Sequence, residues 1–79
     1  MSGIKDIVEN KLVSIFETVG AYINSDDFDE IIQLDSLQFV SVILEIEETF
    51  MIRISADYYS YDELKTFNDY VKLIVRFLD

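Results

Sequence analysis

The sequence stretch that decides the fold is Leu34-Asp35-Ser36-Leu37-Gln38-Phe39-Val40-Ser41-Val42-Ile43-Leu44-Glu45-Ile46-Glu47-Glu48-Thr49-Phe50. One set of apolar residues within it recurs at steps of three and four: Phe39, Val42, Ile43, Ile46 and Phe50. Such spacing places one apolar face along a helix. Asp35 stands in the N-cap position, and Gln38 follows three residues later, as in a capping box. The stretch therefore predicts a helix from about Ser36 to Phe50.

The segments on either side carry the same helical spacing. Upstream, the apolar residues form one stripe: Ile4, Ile7, Val8, Leu12, Ile15, Phe16 and Val19. Gly20 then supplies a helix stop. A further stripe lies downstream: Phe67, Tyr70, Val71, Ile74, Phe77 and Leu78. Thr66 and Asp69, at its start, have the spacing of a capping box, and Ser60 and Glu63 repeat it, which predicts a short helix near residues 60–65 before the final helix.

Polar residues dominate between the first two predicted helices. Residues 21–34 show no sustained period, so they predict a long loop, with Phe28 and Leu34 among its apolar anchors. The chain has no proline and no Asn-Gly or Asp-Gly pair, which disfavours hairpins. We therefore expect a single all-α domain over residues 1–79. Its architecture would be a four-helix bundle of three longer helices and one short helix, with the long loop between helices 1 and 2.

Composition restricts the chemistry that the chain can perform. It contains neither cysteine nor histidine, which removes disulfides, thiolate metal sites and the commonest pairings of nucleophile and base. We therefore expect a protein that is not an enzyme and holds no metal.

Charge and hydropathy restrict the partners. Sixteen acidic against six basic residues give a formal charge of −10, which disfavours nucleic acid and membrane surfaces and favours basic protein surfaces. The sequence shows neither a signal-peptide pattern nor an apolar run of about 20 residues, so a cytoplasmic location is predicted.

Ser36 is the residue whose position suggests chemistry. A serine at the first position of a helix lies near unpaired backbone N–H groups and the positive end of the helix dipole, where a phosphodiester would be stabilised. Serine is also common there for capping reasons alone. Taken by itself, Asp35-Ser36-Leu37 therefore favours an ordinary helix start.

The residues that follow extend this short motif. The pattern is carried by Asp35-Ser36-Leu37, by Glu47-Glu48-Thr49-Phe50 at the end of the same helix, and by Ile52-Arg53-Ile54 and Thr66-Phe67-Asn68-Asp69-Tyr70-Val71 further downstream. Over roughly residues 30–75 it resembles the acyl carrier protein family. In that family the serine of an Asp-Ser-Leu motif accepts phosphopantetheine, and the fold is a four-helix bundle.

The resemblance implies a function, a cofactor and partners. It implies that the chain carries acyl or aminoacyl groups as thioesters on a phosphopantetheine arm, which comes from coenzyme A and is attached to Ser36 within a motif that includes Asp35. Because the chain has no cysteine, only such a group could supply the thiol. The implied partners are a phosphopantetheinyl transferase, a loading ligase and downstream acyl-transfer or synthase enzymes, and the implied state is a monomer. The segment Ser55 to Lys65 is closer in length to D-alanyl and stand-alone peptidyl carriers, and fatty acid, polyketide, nonribosomal peptide and D-alanylation pathways all stay open.

Six side chains of the central helix are candidates for a partner interface: Leu37, Val40, Leu44, Glu45, Glu47 and Glu48. The apolar three lie at steps of three and four and are displaced from the predicted core stripe. They form either a partner-facing strip or peripheral core, or Val40 and Leu44 narrow a cavity. The acidic three either steer basic enzyme surfaces toward the arm or form a solvated helix face.

The sequence also departs from the family pattern. Fatty-acid carriers usually place acids early in this helix, where this chain has Gln38 and Ser41, and a glycine two residues before the motif, where it has Gln33. The missing acids disfavour recognition by standard fatty-acid enzymes, and the missing glycine means that the loop must turn at Gln33 without the freedom of glycine. The main alternative function is an unmodified acidic helical adaptor that binds a basic partner. An enzyme built on paired carboxylates would need a pocket that so small a bundle is not expected to enclose.

Overall fold

The computed structural model describes residues 3–55 and 63–78, and these form three α-helices. They are α1 (Gly3–Thr18), α2 (Ser36–Phe50) and α3 (Phe67–Leu78), with a short 3₁₀ turn over Ser25–Asp27 in the loop between α1 and α2. The described residues include no strand, only one isolated antiparallel bridge between Ile31 and Thr66. The all-α prediction and the predicted bounds of α2 are therefore confirmed.

The short helix predicted near residues 60–65 lies partly outside the described residues, which omit 56–62. Glu63, Leu64 and Lys65 are described, and they form a turn followed by irregular chain. A helix in this region thus stays a prediction for the omitted residues alone.

Each helix contributes one apolar face to a common core. The buried residues are Val8, Leu12, Ile15 and Phe16 of α1, Phe39, Val42, Ile43 and Ile46 of α2, and Phe67, Tyr70, Val71, Leu73 and Ile74 of α3. The predicted stripes are confirmed in their central parts and differ at their ends. Ile4 and Ile7 are about half exposed, because the packed face of α1 begins only at Val8. At the other end of the chain, Phe77 and Leu78 are partly buried.

Aromatic rings join the three helices at the centre of this core. Phe16 of α1 meets the ring of Tyr70 edge to face, with centroids 5.1 Å apart, and lies 5.9 Å from the ring of Phe67. Phe39 of α2 lies 6.5 Å from Tyr70. Such pairs add about 0.5–1.5 kcal/mol each to the stabilisation that burial provides.

The loop between α1 and α2 is attached to the start of α3. Phe28 stacks on Phe67 with ring centroids 4.1 Å apart. The Ile32 N–H donates to the Lys65 carbonyl at 2.7 Å, and the Asn68 N–H donates to the Phe28 carbonyl at 3.1 Å. These contacts fix the course of the loop as it leads into α2.

The start of α3 has the reciprocal cap that the sequence predicts. The Asp69 N–H donates to Thr66 Oγ1 at 3.2 Å, and Asp69 Oδ2 accepts from the N–H groups of Thr66 and Lys65 at 2.9 and 3.0 Å. Burial by itself raises the pKa of Asp69, but these hydrogen bonds and the Lys72 charge outweigh it. The pKa of Asp69 therefore falls below its ordinary value of 3.8.

Candidate functional site

Ser36 is the first residue of α2, and its side chain is exposed to solvent. The Asp35 backbone is extended (φ −77°, ψ 174°), and the Asp35 Oδ1 atom accepts from the Gln38 N–H at 2.7 Å. Gln38 Oε1 in turn accepts from the Asp35 N–H at 3.0 Å. The predicted capping box is thus present, and it holds the backbone on both sides of Ser36.

The surroundings of Ser36 favour an attached anion over a cation. The start of a helix carries partial positive charge from its unpaired N–H groups and its dipole. The first turn of α2 contains no acidic residue. Asp35 supplies a carboxylate directly before it, but this group is engaged in capping the helix.

Gln38 also makes a contact that the sequence did not predict. Its Nε2 atom donates to the Val19 carbonyl at 2.9 Å, at the end of α1. Gly20 follows with φ 86°, and the Phe16 carbonyl accepts from the Ala21 N–H at 2.9 Å, which confirms the predicted stop there. The start of α2 is therefore fixed to the end of α1 by a side chain two residues after Ser36.

The apolar candidates for a partner interface all lie on the surface of α2. Leu37 is 79% exposed, Val40 52% and Leu44 55%. The interpretation of these residues as peripheral core is therefore wrong, because a core side chain would be largely covered. The strip runs along the helix from the residue next to Ser36.

The three acidic candidates differ in their surroundings. Glu48 is exposed and Glu45 is half-buried. The Glu47 carboxylate accepts from the Ile54 N–H at 2.8 Å, so it holds the chain that leaves α2. This contact depends on where residues 51–54 turn, and no local pattern around Glu47 indicates it.

Met51 is a feature of α2 that sequence reasoning missed. It follows the last helical residue in a left-handed conformation (φ 55°, ψ 48°), and its side chain is 89% exposed. The Glu47 carbonyl accepts from the Met51 N–H and, at 3.1 Å, from the Ile52 N–H. Glycine is the usual residue in such a helix stop. No glycine follows Phe50, and this was the one sign in the sequence that another residue would have to adopt the left-handed conformation.

A cleft of about 500 Å³ opens beside the start of α2. It is lined on one side by residues 31–35 and on the other by Leu64, Lys65 and Tyr70. This volume lies within the range of sites that hold small organic groups. Asp35, which precedes Ser36, is part of the lining, so the cleft adjoins the exposed serine.

In residues 3–55 and 63–78 the carboxylates form no group of three that would hold a metal ion. No helix of this part of the chain combines the length and hydrophobicity needed to cross a bilayer.

No protein-family model, no curated protein and no solved structure matches this chain.

Proposed function

We propose that this chain is a carrier protein of the acyl carrier type, in which Ser36 bears a phosphopantetheine arm that holds acyl or aminoacyl groups. The proposal includes the four-helix bundle of that family and a cytoplasmic location. A transferase, a loading ligase and acyl-transfer or synthase enzymes would be its partners.

The observation that carries the proposal is the position of Ser36. Its side chain is exposed on the first residue of a capped helix, inside the Asp35-Ser36-Leu37 motif. A buried serine would be closed to a modifying enzyme, and a serine in a mobile loop would leave the arm without a fixed origin. Ser36 has neither defect, because the bonds between Asp35 and Gln38 hold its backbone.

The residues present fit such a group chemically. Ser36 supplies the hydroxyl for a phosphodiester, and the helix start supplies partial positive charge for its anionic oxygens. When bound, the arm supplies the thiol that a chain without cysteine lacks. The adjoining cleft, with Ile31, Leu34 and Leu64 in its lining, offers apolar surface within the neighbourhood of Ser36.

The attachment reaction balances with coenzyme A as the co-reactant. The Ser36 hydroxyl oxygen forms a bond to the phosphorus that carries pantetheine. The bond from that phosphorus to the nucleotide phosphate breaks, adenosine bisphosphate leaves, and the hydroxyl proton passes to a base of the transferase. No residue of this chain needs to act as a catalyst.

Intact mass spectrometry tests the proposal directly. The full chain is incubated with coenzyme A and a phosphopantetheinyl transferase of broad specificity, and the mass is expected to rise by one arm. Ser36→Ala should gain none. Ser41→Ala is the matched control, since Ser41 is an exposed serine of the same helix, and it should gain one arm as the wild type does. A wild type that gains no mass, or a gain that survives in Ser36→Ala, would count against the proposal and leave the unmodified adaptor as the better function.

A further inference from the structure

We infer that one side of the molecule, between α1 and α3, docks an acidic amphipathic helix of another protein. The residues that form this surface, the basic patch, are Lys5 of α1 and Val71, Lys72, Val75 and Arg76 of α3. The inference goes beyond the proposed function and does not depend on any modification of Ser36.

The charge of the basic patch is opposite in sign to that of the whole chain. Six residues of the chain are basic, against sixteen acidic ones, yet three of the six line one cavity of about 360 Å³ between α1 and α3. The described residues that line this cavity include no acid. Lys5, Lys72 and Arg76 are exposed, so their charges are open to a partner. The patch therefore attracts carboxylates locally, although the chain as a whole has a formal charge of −10.

Apolar side chains line the same cavity. Val71 is buried and Val75 is half-buried, so the cavity offers apolar surface to a side chain that enters it. Lys72 and Arg76 are four residues apart, which is about one helical turn, or roughly 6 Å along α3. Carboxylates one turn apart on a partner helix have the same spacing, and the Arg76 guanidinium can bind a carboxylate through two hydrogen bonds. A helix with apolar residues between acidic ones thus matches the patch in both respects.

Two acids lie beside the basic patch, toward the start of α3. They are Asp29 and Asp69, which line an adjoining cavity that shares three residues with the patch. Asp29 Oδ1 accepts from Asn68 Nδ2 at 2.6 Å, and Asp69 caps α3 and has its pKa lowered in part by the charge of Lys72. Arg76, one turn further along α3, does not line that cavity. The attraction for an acidic partner is therefore greatest toward the end of α3.

The surroundings of the basic patch favour a protein segment over a membrane or a nucleic acid. Asp6 is exposed on the residue next to Lys5, and Glu9 lies one turn further along α1. An anionic membrane or a nucleic acid would extend over these carboxylates and be repelled by them. A single helix, which is about 10 Å across, can keep its acidic residues over the cavity.

The basic patch is also well separated from the start of α2. Lys5 lies fourteen residues before Val19, which is roughly 21 Å along α1. The Val19 carbonyl accepts from Gln38, two residues after Ser36. A helix bound to the patch would therefore leave Ser36 free for the enzymes that the proposed function requires.

The test measures the binding of a defined peptide to the full chain labelled with ¹⁵N. The peptide has about 14 residues, or four helical turns, with leucines along one face and glutamates on both sides of them. Two further probes are the same peptide with glutamine in place of glutamate, and vesicles of phosphatidylglycerol. Amide shifts in NMR spectra locate the contact, and fluorescence anisotropy of the labelled peptide gives Kd.

Three charge reversals separate the basic patch from net charge. Lys5→Glu and Arg76→Glu each change one of the two helices that form the patch. Lys11→Glu changes the net charge equally, and Lys11 is an exposed cation of α1 that does not line the cavity. Lys5→Glu also places an acid in the first turn of α1, which the helix dipole favours. Its urea midpoint should equal or exceed that of the wild type, so that unfolding cannot explain a loss of binding.

We expect the glutamate peptide to shift the amides of the basic patch and to leave that of Ser36 unchanged. The Kd should rise several-fold between about 50 and 300 mM salt. Lys5→Glu and Arg76→Glu should each weaken binding about five-fold, whereas Lys11→Glu should stay within about two-fold of the wild type.

Several results would overturn the inference. These are no shift at up to about 1 mM peptide, equal binding of the glutamine peptide, and a loss in Lys11→Glu as large as that in Lys5→Glu. Binding of the vesicles but not of the peptide would assign the patch to lipid instead. Patch shifts that depend on the concentration of the chain alone would assign it to a second copy. Since Ser36 stays unmodified throughout, failure of the proposed function would not alter any of these results.

Discussion

Gln38 Nε2 donates to the Val19 carbonyl oxygen at 2.9 Å, which joins the end of α1 to the start of α2. The same side chain accepts from the Asp35 N–H, and its own backbone N–H donates to Asp35 Oδ1. One residue thus links the capping box beside Ser36 to a helix that lies 19 residues earlier in the chain. The contact is partly buried, so water replaces it poorly.

The first prediction concerns this link. Gln38→Ala removes the bond to Val19 and the reciprocal half of the capping box, and it should lower the free energy of unfolding by about 1–2 kcal/mol. Urea unfolding followed by circular dichroism measures the change. Gln38→Glu is the matched variant, since it keeps an acceptor for the Asp35 N–H and loses the donor to Val19. It should fall between Gln38→Ala and the wild type. Equal stability of Gln38→Ala and the wild type would show that the link contributes nothing.

The second prediction separates Glu47 from its neighbour. The Glu47 carboxylate holds the Ile54 N–H, so Glu47→Ala should cost about 1 kcal/mol in the same assay. Glu48→Ala is the control, because Glu48 is exposed on the next position and exposed substitutions usually change stability by less than about 0.5 kcal/mol. Equal losses of unfolding free energy in both variants would contradict this prediction. The bond to Ile54 would then not explain the loss, and helix propensity or net charge would.

The parts of the fold that could be predicted from the sequence are those set by local interactions. The bounds of α2 follow from an Asp-to-Gln cap and a three-and-four apolar spacing, and both signals lie inside the segment they describe. The cap at Thr66 and Asp69 is local in the same way. The exposure of Ile4 and Ile7 was not predictable, because it depends on how far the core extends along α1 and not on the spacing of apolar residues.

In the candidate site, too, the features set by local interactions could be predicted and the tertiary contacts could not. The place of Ser36 at the start of a helix and the capping box around it were predicted from the spacing of Asp35 and Gln38. The surface position of Leu37, Val40 and Leu44 could not be predicted, since apolar spacing alone does not say which face of a helix another element covers. The bonds of Gln38 to Val19 and of Glu47 to Ile54 arise from tertiary structure and from the path of a turn. Neither has a signature in the spacing of residues.

The third prediction is a pH dependence at the start of α3. The pKa of Asp69 is lower in the folded protein than its ordinary value of 3.8, so between those two values the unfolded chain binds more protons than the folded one. The stability that this carboxylate provides is therefore fully present above about pH 4 and is lost as the pH falls through the folded-state pKa. Asp69→Asn should be less stable than the wild type by about 1 kcal/mol at pH 7, and the difference should shrink below pH 4.

Urea unfolding of both proteins at pH 7, 5, 4 and 3 measures this difference. Asp26→Asn serves as the control for the loss of one negative charge, because Asp26 is an exposed acid of the loop. Its effect should be less than about 0.5 kcal/mol at pH 7. A difference between wild type and Asp69→Asn that stays constant from pH 7 to pH 3 would show that the charge of Asp69 is not what stabilises the cap.

The last prediction concerns how the loop before Ser36 is held. Phe28 stacks on the fully buried Phe67, with ring centroids 4.1 Å apart. Further along the same loop, the Ile32 N–H donates to the Lys65 carbonyl. Phe28→Ala removes the ring contact and should lower the free energy of unfolding by about 2–3 kcal/mol. It should also speed hydrogen exchange at the Ile32 amide by local opening.

Tyr22→Ala is the matched control, since Tyr22 is an aromatic residue of the same loop but is 75% exposed. It should leave both the stability and the Ile32 exchange rate close to those of the wild type. If Phe28→Ala loses stability while the Ile32 amide stays as protected as in the wild type, the backbone bonds to the start of α3 hold the loop without the ring. The approach of the chain to Ser36 would then be set by those bonds and not by the aromatic stack.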